Sequence, residues 1–210
     1  MIGVHLTVPV ACWRRGHARE FLETEIVPPP ATMYGCFLSL VGETKRRRHC
    51  GARVTAGVVG QPPRSHVLRT KWDVAKHEAK KGGDIYRRTV PDWQQILTQV
   101  DVVAWLDSGD ESGLSLEHRV VDALTNPGSA DRFGGWSLGE STFLVNDIWL
   151  LPDGKPPVNS SVFVADPDGN LTLPTWVDHV GFAGTRYATG RLATLDAAPA
   201  VDQLPRIDPT

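Results

Sequence analysis

The segment that most constrains this chain is residues 28–43, PPPATMYGCFLSLVGE. Three prolines lead into an apolar run that stops at Gly42, and four basic residues, Lys45 to Arg48, follow at once. Pro30 suits the first turn of a helix, where its missing N–H has no intrahelical partner to lose. Ala31, Tyr34, Leu38 and Val41, joined by Met33, Phe37 and Leu40, recur at helical spacing and give one broad apolar face. Gly35 lies inside that helix, where it costs about 1 kcal/mol against Ala. A glycine kept there predicts the close approach of another backbone or of a ligand. The segment therefore reads as a core helix whose ends sit beside a polyanion.

Charge supports that reading. Residues 1–88 hold 16 Lys and Arg against 7 Asp and Glu, residues 89–210 hold 6 against 17, and the two balances leave a net charge of −2. Such a division points to a nucleic-acid or phosphate-rich partner for the first half. The 210 residues suit one domain, with or without a large insertion. Neither a membrane span nor a secretion signal is legible, so a cytoplasmic protein with no membrane partner is expected. Cys12, Cys36 and Cys50 lack CxxC spacing, which argues against a disulfide framework or a cysteine zinc site.

In chain order, residues 1–10 alternate, with Ile2, Val4, Leu6, Val8 and Val10 on one side, and predict a half-buried strand. Residues 11–27 read as a loop carrying Trp13, Arg14, Arg15, His17 and Arg19, cations beside an aromatic ring that can meet phosphates and stack on a base. After the 30–41 helix, residues 53–59 predict a second strand. Residues 66–72 and 85–90 predict the two sides of a hairpin whose tip, 73–84, is polar and closes on Gly82-Gly83. That arm carries Arg69, Lys71, Lys76, Lys80, Lys81, Arg87 and Arg88, enough charge to contact a nucleic-acid backbone. Residues 91–100 read as a short helix with Trp93, Ile96, Leu97 and Val100 on one side, and 102–106 as a strand. Ser115 caps a helix to Thr125, and 143–151 is a further strand. Beyond 151, short strands are expected at 161–165, 171–173 and 177–182, and the tail from Asp196 is expected to be poorly ordered. The plan is an α+β, ferredoxin-like βαββαβ domain over 1–150. It carries a basic hairpin at about 64–90, a small β-rich extension at 151–195 and a flexible tail at 196–210. Its sheet is of the kind on which RNA-recognition modules present single strands.

Two motif matches lie in residues 134–141, GGWSLGES. As a phosphate loop the segment places Glu140 where a lysine must neutralise phosphate, and fails. Gly135-Trp136-Ser137-Leu138-Gly139 matches the nucleophile elbow of serine hydrolases, with Asp178 and His179 following in order. An elbow needs a strand before it and a helix after it, and neither is predicted here. The seven histidines show no ligand spacing, so no metal and no cofactor is expected. His77, beside Lys76 on the arm, could serve metal-free RNA cleavage as an acid or base, or simply be a surface residue.

ACWRRGHAREFLET, PPPATMYGCFLSLVGE, DIYRRTVPDWQQILTQVDVVAWLDSG and RFGGWSLGESTFLVNDI, in this order, resemble the Cas-five family of CRISPR-associated RAMP proteins, in the branch first described as DevS. The resemblance covers about residues 1–150. It implies a RAMP domain with a β-hairpin thumb, serving as a subunit of a type I Cascade complex in antiviral defence. Such a subunit caps the 5′ handle of the crRNA and packs against the large subunit and the backbone subunits, and it meets target DNA through the complex. By position, Trp13, Arg14, Arg15 and Arg19, with Thr32, Tyr34 and Gly35 at the helix start, would line the handle cleft. The seven cations of the arm would form the thumb, Gly134, Gly135 and Gly139 a loop open to a phosphate, and Arg46 and Arg47 a secondary contact. Glu140 stands where many relatives carry a base. One branch of the family cuts precursor RNA with tyrosine, lysine and histidine, and that set does not map onto this sequence. The expectation is an RNA-binding subunit without a catalytic residue. The alternative is a metal-independent endoribonuclease, and the third class is a serine hydrolase.

Overall fold

Period-two runs of valine and leucine place two strands at the centre of one sheet in the computed structural model, which describes residues 1–16, 21–74, 87–132, 134–180 and 183–210. Strand β1 (Ile2–Ala11) pairs antiparallel with β5 (Arg87–Asp107), from Ile2 opposite Leu106 to Ala11 opposite Leu97. Val4, Leu6 and Val8 point with Val100, Val102 and Ala104 into the same core. On the far side of β5 lies β3 (Arg53–Val59), and β6 (Asp147–Leu150) closes the other edge against β1. Helix α1 (Pro30–Leu40) joins β1 to β3, and α2 (Leu116–Thr125) joins β5 to β6. The result is a mixed α/β structure dominated by an antiparallel sheet, in the order β6-β1-β5-β3.

Helix α1 forms where the proline signal predicts it. Pro30 occupies the first turn, and the carbonyl of Pro29 accepts from the N–H groups of Thr32 and Met33, which satisfies orphan donors without a side-chain cap. Met33 and Phe37 are fully buried, each worth about 1.5–3 kcal/mol relative to exposure. Gly35 does not do what its position suggests. It is exposed, and a Cβ there would meet nothing within 4 Å. Helix α2 starts as read, with the Ser115 hydroxyl accepting from the His118 N–H at 3.2 Å.

Residues 91–100 are not helical. They continue β5, which with β4 (Arg64–Val74) forms a long hairpin, in register from Arg64 opposite Leu97 to Val74 opposite Arg87. The helix-like spacing comes from Gln99, whose φ of +53° interrupts the strand's alternation. Before it Asp92 and Gln94 are buried while Trp93 is exposed, and after it Val100 and Val102 are buried. The strands expected at 85–90 and 143–151 are seen from Arg87 and at Asp147–Leu150. The loop after β1 contributes a short strand, β2 (Phe21–Leu22), parallel to β5.

The C-terminal segment extends the sheet. Strand β7 (Ser160–Ala165) pairs with β3, and β9 (Arg186–Thr194) lies between β7 and β8 (Leu171–Trp176). Residues 177–180, expected as part of a strand, belong instead to the turn between β8 and β9. The tail is a second correction. The Ile207 N–H donates to the Ala52 carbonyl, the Ile207 carbonyl accepts from the Gly51 N–H, and the Val54 N–H donates to the Pro205 carbonyl. Ile207 then enters the main core, while Leu204 packs with Val103, Trp105 and Val162 on the opposite face of the sheet. Two buried apolar side chains offset the ordering entropy that a polar tail would leave unmet.

Candidate nucleic-acid interface

Three of the segments expected to bind RNA meet at one place. The first loop turns back on itself at Trp13, whose N–H donates to the Thr24 hydroxyl and whose carbonyl accepts from Glu25 N–H. The Thr24 N–H in turn reaches the Gln95 side chain on β5 at 3.3 Å, so the loop is tied to the foot of the hairpin. The glycine-rich loop closes over the same spot. A Cβ on Gly139, at φ +96°, would lie 2.7 Å from the Cys12 carbonyl oxygen and 3.2 Å from Trp13 Cδ1. Next to it Glu140 accepts from Arg69 of β4 at 2.6 Å and from Gln94 of β5 at 2.6 Å, while Arg69 also donates to Gln94. Loop, hairpin foot and glycine-rich loop therefore form one contact set.

The aromatic residues expected to stack on bases do not. Trp13 is 2% exposed and Tyr34 3% exposed. Trp13 is covered by the glycine-rich loop. Tyr34 lies on the inner face of α1, its hydroxyl donating to the Arg46 carbonyl at 2.6 Å. Burial holds that phenol well above its ordinary value. Gly139 serves the chain's own close packing, whereas Gly134 has open space around its Cα and Gly135 would meet only a Leu144 methyl at 3.0 Å.

The cations are in different situations. Arg14 and Arg15 are exposed, with Arg15 paired to Glu23 at 3.0 Å and Glu25 at 3.4 Å. Burial raises the Glu25 carboxyl, against the pull of Arg15. The Arg46 guanidinium lies 3.7 Å over the Trp176 ring of β8 and donates to the Val177 carbonyl, and Arg47 is 5.7 Å from the same ring. Arg48 is held by Glu43, which also accepts from Arg119. Thr32 is half-buried near the start of α1. Lys71, Arg87 and Arg88 occupy backbone positions in the hairpin strands. Arg19, Lys76, His77, Lys80 and Lys81 lie outside the described residues.

The serine-hydrolase motif lacks the geometry of a nucleophile elbow. Ser137 sits in an isolated bridge to Leu144 rather than on a strand-to-helix turn. Asp178 accepts from the N–H groups of Val180 and Gly184 and so shapes the β8–β9 turn. Among the described residues no three His, Cys, Asp or Glu side chains gather as a cation site requires, and no helix is long and apolar enough to cross a membrane.

Sequence reasoning missed two features of this region. One is the carboxyamide of Gln94, which bridges Arg69 and Glu140. The other is a row of exposed apolar side chains, Phe21, Leu68 and Trp93, hidden when 91–100 is read as a helix. The buried Asp92 and Gln94 on either side of an exposed Trp93 are the signal that could have found it: polar residues alternating with a tryptophan fit a strand better than an apolar helix face.

The likeness to known proteins spans the whole chain. It is 56% identical over 209 residues to the CRISPR-associated protein Cas5 of Myxococcus xanthus (strain DK1622), covering 99% of this chain and 97% of that protein. A chain from a solved CRISPR RNA-guided surveillance complex shares its fold with a TM-score of 0.61 at 14% identity, over 93% of this chain and 90% of that one. A second solved structure, described as a Cas protein, matches with a TM-score of 0.52 at 15% identity, over 100% and 99% of the two chains. No protein-family model matches the chain.

Proposed function

The chain belongs to the Cas5 family of CRISPR-associated proteins, and from that premise we propose that it is a non-catalytic, RNA-binding subunit of a type I Cascade effector complex. In this reading it caps the 5′ handle of the crRNA in the cytoplasm and packs against the large subunit and the first backbone subunit. Target DNA reaches it through the guide. The observation that carries the reading is the full-length relation to Cas5, and the meeting of first loop, hairpin foot and glycine-rich loop supports its location.

The fold assignment goes with it. The order β6-β1-β5-β3, with α1 and α2 as the two connections, supports our assignment of residues 1–150 to a ferredoxin-like βαββαβ domain. The β4–β5 hairpin is the thumb, and residues 151–195 are the β-rich extension.

Binding is electrostatic and geometric. Cations of the first loop and hairpin neutralise handle phosphates and release counterions, so affinity falls steeply with salt. Arg14, Arg15 and Arg69 are the described cations these elements bring to the contact set. Arg46, stacked on Trp176, contributes chiefly to the fold. The test is incubation of the full chain with CRISPR repeat RNA in a chelator, read at two salt concentrations. Intact RNA bound with a steep salt dependence supports the reading. A defined cut would make the protein a metal-independent endoribonuclease, and no binding at low salt would refute the role.

A further inference from the structure

We propose that Phe21, Trp93 and Leu68 form a stacking platform for an unpaired base of the bound RNA, an inference that rests on the RNA-binding reading above. Phe21 of β2 and Leu68 of β4 are the register partners of Trp93 on β5, one on each side. Directly opposed residues on neighbouring strands point to the same face of a sheet. The three side chains therefore make a single rung, about 10 Å across at the usual strand spacing. All three are exposed: Phe21 38%, Trp93 53% and Leu68 55%. Two residues before Leu68, on the same face, the His66 ring lies 5.4 Å from that of Phe21, tilted by 33°, so a further ring extends the row.

Size and surroundings favour a base over a protein. The exposed part of the three side chains amounts to on the order of 300 Å², well short of the ~800 Å² per partner of a stable protein interface. Arg64, also exposed, shares the period-two face of β4 with His66 and Leu68, which puts a phosphate partner beside the rung. The rung stands at the foot of the hairpin whose sequence carries Lys71, Lys76, Lys80, Lys81, Arg87 and Arg88. The opposite face of the same strands carries Arg69 and Gln94, both bonded to Glu140 of the glycine-rich loop, so the apolar rung lies on the face away from that contact set. A flat indole flanked by a phenyl ring and an aliphatic side chain accepts any base, since every base has a π-face.

The test uses the full chain and two probes: a short single-stranded oligoadenylate RNA, and a ribose-phosphate chain of the same length without bases. Trp93→Ala is expected to weaken binding of the base-bearing RNA about tenfold or more, with the salt slope and the affinity for the abasic chain unchanged. Trp93→Phe is expected to retain most of the affinity, and unaltered melting shows that both variants fold. Equal affinity of wild type and Trp93→Ala for the base-bearing RNA overturns the platform while cation-driven RNA binding stands, and so does a loss of equal size on the abasic chain. Failure of the wild type to bind either probe overturns the RNA-binding reading itself. Loss of association with partner subunits at undiminished RNA affinity would make the rung a protein contact and also overturn the platform.

Discussion

Replacing Gly139 by alanine tests the joint on which the candidate interface depends. The backbone there has φ +96°, and an added Cβ would lie 2.7 Å from the Cys12 carbonyl oxygen. The left-handed conformation costs a residue with a Cβ about 1–2 kcal/mol. The clash adds to this, because a carbonyl oxygen fixed in the chain cannot swing aside as a side chain can. Shifting one loop against the other costs about 1–3 kcal/mol more, by analogy with overpacked cores. The expected loss is about 2–5 kcal/mol, which for a chain of this size lowers the melting temperature by roughly 5–15 °C. Gly134→Ala, at φ +81° with open space around it, bears only the backbone part, about 1–2 kcal/mol. Gly35→Ala, exposed inside α1 with nothing within 4 Å, should gain about 0.5–1 kcal/mol. Circular-dichroism melts of the three variants read out the order. If Gly139→Ala melts with the wild type, the glycine-rich loop does not close on Cys12 and Trp13, and the description of the joint is wrong.

Glu140→Gln removes a carboxylate that competes with phosphate for Arg69; because the pair is partly exposed, stability should change by less than about 1 kcal/mol, while affinity for repeat RNA rises in a fluorescence titration. The Glu43 carboxyl is pulled from 4.5 to about 2, first by the Arg48 hydrogen bond and then, against burial, by the Lys45 N–H and Arg119. A depressed folded pKa gives stability that is complete above the unfolded value and lost as pH falls through the folded one. Urea midpoints should therefore fall between about pH 4.5 and about pH 2, and this part of the slope should be missing in Glu43→Gln; equal slopes would contradict it. Ile207→Ala, fully buried near the C-terminus, should cost about 2–5 kcal/mol by denaturant unfolding, whereas a free tail would show no change.

The helices were legible because their signals are local. Pro30 and Ser115 mark the two starts, and the apolar spacing of Met33, Phe37 and Leu40 survives any tertiary context. The hairpin was legible as a basic arm with its return at 85–90, but the continuation of that second strand through 91–100 was not. Trp93, Ile96, Leu97 and Val100 match a helical repeat only because Gln99 breaks the strand's alternation, and periodicity alone cannot separate a broken strand from a helix. The tail misled because Leu204 and Ile207 are sparse among prolines and aspartates, and their two core sites exist only once β3 and β5 are assembled. Composition singled out the first loop and Arg69, and the family resemblance the glycine-rich loop, the three segments that meet in the fold. It could not say that Trp13 and Tyr34 face inward, that Arg46 is stacked on Trp176, or that Glu140 meets Arg69 from 71 positions away. Those facts depend on long-range packing, which no local pattern encodes.

The most direct test of the RNA-binding account is ultraviolet crosslinking of the chain, co-expressed and co-purified with the products of its neighbouring genes and the RNA they retain, followed by mass-spectrometric mapping of the crosslinked peptides. The account predicts crosslinks in the first loop and on both strands of the hairpin foot, including the peptide that holds Trp93. A purified complex whose RNA crosslinks only to residues 147–210, or a chain that assembles with its partners and crosslinks to no RNA, would contradict it.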